Sequence, residues 1–350
     1  MSGPADPLGA LVPGAAVVRA SDVAGGPLSG LGFVAKDVFD VAGTVTGAGN
    51  PDWAAGHEPA LADAAAVAAL LEAGAELVGK GRCAELSFSL SGDNAHYGMP
   101  RNPAAPDRDP GGSSSGPAAA VAGGLCDLGL GTDTLGSARI PASYCGIYGY
   151  RPTHGAISTA GVLPLAQRFD TVALLGREPA ALRRAAEVLI GERVAGGDDP
   201  PHRLLLVADA LASADPEVAE ATRDAARRLA DALGATLEPV EGLPGDAPDL
   251  AAALAAFNVL QGAQVWRNLG PWVEATRPSL GADVAARIER AAGVEPADVA
   301  GAEPTATAVA ASVRRLHEGE ALVLPSAGTV APARDADPAA REAARVGAGR

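Results

Sequence analysis

Gly111-Gly112-Ser113-Ser114-Ser115-Gly116 precedes an Ala/Val helix expected from Pro117 to about Leu125, and a short strand over 127–131 follows. That strand runs into Gly131-Thr132-Asp133-Thr134-Leu135-Gly136-Ser137. A Gly/Ser hexapeptide taken alone reads as a flexible loop, and no Gly-Lys-[Ser/Thr] follows it, which excludes a Walker-type phosphate loop. Its place before a helix changes that reading, with Ser137 standing 24 residues beyond Ser113 (137 − 113). The second stretch sets a serine after a run of backbone amides at a strand end, where several N–H groups can converge on a developing oxyanion.

Working outward, the same alternation continues on both sides. Residues 31–36 read as a short buried strand ending on the charge of Lys36. A helix is expected over 60–73, with Ala64, Val67 and Leu71 at helical spacing and Gly74 as its stop, followed by a strand over 76–80. Downstream the pattern predicts a strand at 171–175, a helix at 179–190 and a strand at 204–207. The clearest helix covers 215–233, with Asp215 as N-cap, Pro216 at N1, Val218, Thr222, Ala225 and Leu229 inward, and Gly234 at C′. Helical patterns recur at 249–269, 283–293 and 304–318, before a strand at 321–324. Alternation of this kind implies an α/β fold with a largely buried sheet. With no repeat and no linker, 1–350 is expected to form a single domain.

Composition narrows the function. At 350 residues, 48% hydrophobic and 20% charged, the chain can bury a substantial core and is not a disordered one. The net charge of −15 repels a phosphate backbone and an anionic membrane surface, so neither nucleic acid nor membrane is an expected partner. No apolar run reaches the roughly 18 residues of a membrane span, and residues 1–7 lack a basic leader, so a cytoplasmic location is expected. Cys83, Cys126 and Cys145 form neither a zinc pattern nor a disulfide framework and read as small buried hydrophobes. No metal or other cofactor is expected.

A serine nucleophile needs a base. None of the five histidines, His57, His96, His154, His202 and His317, lies in a motif that marks one. Lysine is the better proposal. Lys36 and Lys80 are the only lysines in a chain whose other 25 of 27 basic residues are arginine, and arginine does not give up its proton in a protein. In water roughly 0.04% of a lysine is neutral at pH 7, but burial can lower its pKa by ~3–5 units and free the amine to act as a base. The alternative is that Lys36 is a strand-end charge paired with Asp37 or Asp40.

Phe33-Val34-Ala35-Lys36-Asp37, the 111–116 and 131–141 stretches, and Cys145-Gly146-Ile147-Tyr148-Gly149-Tyr150-Arg151-Pro152-Thr153-His154-Gly155 together resemble the amidase signature family. Asn50-Pro51-Asp52-Trp53, Asn94-Ala95-His96-Tyr97-Gly98 and Pro141-Ala142-Ser143-Tyr144-Cys145-Gly146 look most like its plant-type indole-3-acetamide amidases and their bacterial relatives. The resemblance is dense over about 30–177 and thinner to Pro325. It implies a mixed β-sheet core sandwiched between α-helices, and hydrolysis of a small primary amide through an acyl-enzyme. By the same resemblance, Ser137 is the nucleophile, Ser113 the bridging serine after a cis peptide bond, and Lys36 the base. The backbone of Thr134, Leu135, Gly136 and Ser137 would form the oxyanion hole, supported by Ser114 and by an Asp133–Arg139 pair, with Lys80 structural.

Two features depart from the family pattern. Leu135 stands where glycine is usual, and a left-handed backbone there would cost of order 1–3 kcal/mol. The C-terminal region is also short for the family, which implies reduced stability with the catalytic centre intact. The readings that compete with a small-amide hydrolase are a carbamoyl or urea-like amide hydrolase, the amidase subunit of a transamidation complex, and a catalytically silent amidase-like scaffold. A homodimer is left open.

Overall fold

The computed structural model describes residues 6–13, 19–23, 25–191, 199–245, 247–337 and 341. They form two compact units. Of these described residues the first unit comprises those up to 191 together with 267–289 and 331–336, and the second comprises those within 199–266 and 290–330 together with 337 and 341.

The first unit begins with β1 (Gly32–Lys36), α1 (Pro51–Ala55), α2 (Ala65–Glu72) and β2 (Glu76–Gly81). It continues with α3 (Ser115–Ala122), β3 (Leu128–Thr132), α4 (Arg139–Cys145), β4 (Tyr148–Tyr150), β5 (Val172–Gly176) and α5 (Pro179–Ile190). The five strands lie in the order β2-β1-β3-β5-β4, with β1 parallel to β2 and β3, and β5 antiparallel to β3 and β4. The sheet is mixed, and helices cover both faces. Val34, Ala173 and Leu175 pack with Ala118–Val121 of α3 and Ala142 of α4. Gly176 points to the opposite face by strand alternation and there meets Leu182 of α5. All three cysteines are free and buried.

Strand alternation also positions chemistry. Lys36, two residues beyond Val34, projects to the face on which α3 begins. Small residues let that helix come close: a Cβ on Gly129 would lie 3.1 Å from the Pro117 side chain, and one on Gly131 would lie 2.8 Å from Ser114 Oγ.

The second unit holds β6 (Arg203–Val207), α6 (Ala208–Ala212), α7 (Pro216–Leu233), β7 (Thr236–Val240), α10 (Pro296–Val313) and β8 (Glu320–Val323). Its parallel sheet has the order β7-β6-β8. Arg203 on β6 ties both neighbours, pairing with Glu238 at 2.7 Å and with Glu320. Between these elements in sequence run α8 (Leu250–Thr276), which continues through Pro271, and α9 (Ala282–Ala292). Among the described residues no helix is long and apolar enough to cross a membrane.

Several expectations need correction. The helix expected over 60–73 begins only at Ala65, because Ala64 is extended (ψ 144°) and its N–H is held by the Asp40 carbonyl. Asp215 stands at the N-cap of α7, but its side chain makes no capping hydrogen bond. The inward face of α7 is also rotated. Ala219, Ala226 and Ala230 are its buried residues, whereas Leu229 is exposed. Alanines admit a close approach to the Leu206 and Leu211 cluster that a leucine would obstruct. Sequence periodicity did not foresee α1, α4, α6, β4 and β7, each five residues or fewer except α4 with seven.

Candidate active site

Lys36 closes β1, and its Nζ lies 2.8 Å from Ser113 Oγ and 2.7 Å from Thr132 Oγ1 at the end of β3. All three side chains are buried. Burial pushes the Lys36 pKa down to about 8, against the weaker opposing pull of Cys83, Asp170 and Asp133. Neither Asp37 nor Asp40 pairs with Lys36. Asp37 is engaged by Lys80 at 2.9 Å, and Asp40 accepts a hydrogen bond from Thr46 Oγ1 at 2.6 Å. Burial raises the Asp37 pKa, outweighing the pull of Lys80. Lys80 also donates to the Val45 carbonyl at 2.9 Å, so it ties strand to loop.

The Gly112–Ser113 peptide bond is cis. The Ser113 carbonyl accepts from the Ala84 N–H at 3.1 Å, and the Gly112 N–H donates to the Leu90 carbonyl at 2.8 Å. Asp109, fully buried, ties the approach to this turn by accepting from Ser91 Oγ at 2.6 Å, the Gly92 N–H at 2.8 Å and the Gly111 N–H at 2.7 Å. The Asp109 N–H in turn donates to the Pro332 carbonyl at 2.9 Å.

Ser114 joins the two serine-bearing turns. Its N–H donates to the Ser137 carbonyl at 3.1 Å, and its hydroxyl donates to the Thr132 carbonyl at 3.2 Å. Ser137 itself is buried. The turn leading to it is braced by the Asp133 carboxylate, which meets Arg139 at 2.9 and 3.0 Å, Arg151 at 3.1 Å and the Ala138 N–H at 3.2 Å. Burial pushes the Asp133 pKa up, but Arg139 and Arg151 outweigh it and hold the carboxyl below its ordinary value. Among the described residues the N–H groups of Thr134, Leu135, Gly136 and Ser137 donate to no protein acceptor. Four consecutive donors are thus left uncommitted.

Leu135 is not left-handed. The described non-glycine residues with positive φ are Ala48, Leu86, Ser87 and Arg277. The strain expected at Leu135 is therefore absent. Its carbonyl accepts from Arg139 at 2.8 Å, and its side chain is exposed.

A cavity of about 290 Å³ reaches this centre through Thr132 and Thr134. Ile157, Val162, Leu163, Leu165 and Val172 give it apolar walls, and Ser87 and Asp170 add polar groups. Sequence reasoning missed Thr132 as a partner of Lys36, although the residue stood inside a quoted motif. It also missed Glu85, which accepts from Asn50 at 2.6 Å and from the Gly281 N–H at 2.8 Å and contacts His96 Nε2 at 2.8 Å. Among the described residues no histidine forms a hydrogen bond with Ser113 or Ser137. Among the described residues, no group of three or more His, Cys, Asp or Glu side chains converges as a metal site.

Residues 15–342 match the family described as Amidase. This chain belongs to the amidase family. Membership makes it an amide hydrolase by class. It is 41% identical over 289 residues to Amidase 1 of Arabidopsis thaliana, covering 75% of this chain and 68% of that one. It is 52% identical over 115 residues to the indoleacetamide hydrolase of Pseudomonas syringae pv. syringae (33% and 26% of the two chains). It is also 49% identical over 164 residues to the Pisum sativum protein named translocon at the outer membrane of chloroplasts 64 (47% and 28%). A solved structure described as an amidase superposes with a TM-score of 0.79 at 31% identity, covering 89% of this chain and 70% of that one. The chain thus spans about two thirds of the Arabidopsis relative and under a third of the other two.

Proposed function

We propose that this amidase hydrolyses a small primary amide to a carboxylate and ammonia, with Ser137 as nucleophile, Ser113 as bridge and Lys36 as base. The observation that carries this reading is the buried Lys36 Nζ at 2.8 Å from Ser113 Oγ, with no carboxylate among the described residues paired to it. A lysine whose pKa is lowered to about 8 is partly neutral near neutral pH, and the neutral amine has a lone pair to accept a proton. In the reaction Lys36 takes the Ser113 proton while Ser113 takes that of Ser137, and Ser137 Oγ attacks the amide carbonyl. The oxyanion is met by the uncommitted N–H groups of 134–137. The proton returns along the same route to the departing amine, which leaves as ammonia. Water then adds to the acyl-enzyme, giving up its proton to the relay, and the carboxylic acid departs as Ser137 is reprotonated.

The similarity to an indoleacetamide hydrolase and the apolar cavity walls favour an aryl-acetamide such as indole-3-acetamide as substrate. A cytoplasmic location belongs to the same proposal. The similarity to a translocon protein favours a second reading, an amidase-like scaffold without turnover. Ammonia release from a panel of primary amides tests both readings, using wild type beside Lys36→Ala and Ser137→Ala. Release that disappears in both variants supports the hydrolase. A folded wild type that releases none and fails to react with a fluorophosphonate probe overturns it in favour of the scaffold.

A further inference from the structure

Ser87 is 8% exposed, lines the cavity beside Thr132 and Thr134, and among the described residues its Oγ meets no hydrogen-bond partner. A buried hydroxyl without a partner is costly and calls for a reason. Three other polar side chains of the same cavity, Thr132, Thr134 and Asp170, are already engaged. Thr132 Oγ1 accepts from Lys36 Nζ. Thr134 Oγ1 donates to Asp170 Oδ1 at 2.7 Å, and Asp170 Oδ2 accepts from the Leu165 and Ala166 N–H groups at 2.9 and 2.8 Å.

The backbone delivers this hydroxyl deliberately. Leu86 and Ser87 are adjacent non-glycine residues at φ 49° and 58°, a region that side chains disfavour. They are held there by hydrogen bonds from the Leu86 N–H to the Ala48 carbonyl at 2.8 Å and from the Ser87 N–H to the Ala84 carbonyl at 2.9 Å. Ala84 is also the residue whose N–H holds the Ser113 carbonyl, so Ser87 is placed by the same short loop that positions the bridging serine.

We propose that Ser87 Oγ recognises the non-reacting end of the substrate, selecting acyl groups that are largely apolar but carry one hydrogen-bonding atom. A ring N–H is such an atom, and the hydroxyl oxygen would accept from it. The assignment rests on the hydrolase reading of the Lys36 centre and adds a specificity residue to it. A cavity of about 290 Å³ lies at the small end of ligand pockets, which run from roughly 300 to 1,000 Å³, so the acyl group is of one or two rings.

The test compares indole-3-acetamide with naphthalene-1-acetamide, similar in shape but without the ring N–H, in wild type and Ser87→Ala. The wild type is expected to favour the indole by about tenfold in kcat/KM, and the variant to bring that ratio to about one. Calorimetric binding of both amides to the same proteins follows recognition without turnover. The melting temperature of the ligand-free variant is expected to rise by roughly 1–2 °C, because an unsatisfied buried group has been removed. Turnover of both amides with equal preference in the two proteins overturns the role of Ser87 and leaves the hydrolase standing. Binding that depends on Ser87 without turnover overturns the hydrolase and keeps the recognition site. Neither turnover nor Ser87-dependent binding overturns both.

Discussion

Lys80 Nζ lies 2.9 Å from Asp37 Oδ1 with both side chains closed off from solvent, and this pairing leaves Lys36 without a carboxylate. The two lysines sit on paired strands, where Lys36 stands opposite Gly81 and Ala35 opposite Lys80. One lysine is paired with a carboxylate. The other is surrounded by hydroxyls, and burial lowers its pKa to about 8.

On this basis kcat/KM should rise with pH along a limb centred near 8 as Lys36 loses its proton, and Lys36→Met should lower it by about 10²–10⁴-fold. A pH–rate profile checks this; a limb near 6.5 would point to histidine. Stability gives a second readout. In the unfolded chain Lys36 keeps its proton to about 10.5, so between pH 8 and 10.5 the unfolded state binds more protons than the folded one. Raising the pH through that window should stabilise the wild type relative to Lys36→Met by roughly 3 kcal/mol, read from urea midpoints.

Asp133 braces the turn that carries Ser137 by pairing with Arg139 and Arg151. Asp133→Ala would leave cationic groups without their buried partner and should cost about 3–5 kcal/mol in urea denaturation. Since the folded state holds the carboxyl below its ordinary value of 3.8, this stabilisation is present above about pH 4 and is lost as the pH falls through the folded pKa. Below that pH, wild type and variant should converge.

Two glycines near the serines should respond differently to a methyl group. At Gly112 a Cβ would lie 2.0 Å from the Ser91 carbonyl oxygen, and backbone cannot step aside, so Gly112→Ala should yield no folded protein. At Gly131 the nearest atom is Ser114 Oγ at 2.8 Å, a side chain able to rotate. Gly131→Ala should therefore fold but lose about 10–100-fold in kcat as Ser114 gives up its hold on Thr132. Circular dichroism and ammonia release separate the two outcomes.

Leu135→Gly should not relieve strain, because Leu135 is outside the left-handed region. The expected result is a loss of about 0.5–1 kcal/mol from the added freedom of the unfolded chain, measured by thermal unfolding. A gain of stability would contradict the observed backbone.

The buried strands were legible in the sequence because continuous apolar runs such as Val172–Leu175 have no other stable placement. Lys36 stands out in the sequence as one of two lysines, at the end of an apolar strand, and Ser137 as a serine after a run of backbone amides, whereas the role of Ser113 is what the family resemblance implies. What escaped was set by long-range partners. Glu85 is defined by Asn50 and Gly281, and the latter is 196 residues away. The inward face of α7 was misjudged because hydrophobicity favoured Leu229, whereas close packing on a sheet selected the alanines one position on. Ser87 gave no signal, since no local pattern marks a hydroxyl that will lack a partner.

The clasp between residues 107–109 and 332–334 has a consequence for synthesis on the ribosome. The Asp109 N–H reaches the Pro332 carbonyl, and Arg108 reaches Ala331 across 223 residues of sequence. At about 5–20 residues per second, roughly 10–45 s separate the emergence of the two halves. During that interval every proposed catalytic side chain has already been made, yet the turn bearing Ser113 lacks its last tether. A nascent chain halted before residue 331 should therefore be a poor hydrolase even with every proposed catalytic side chain in place.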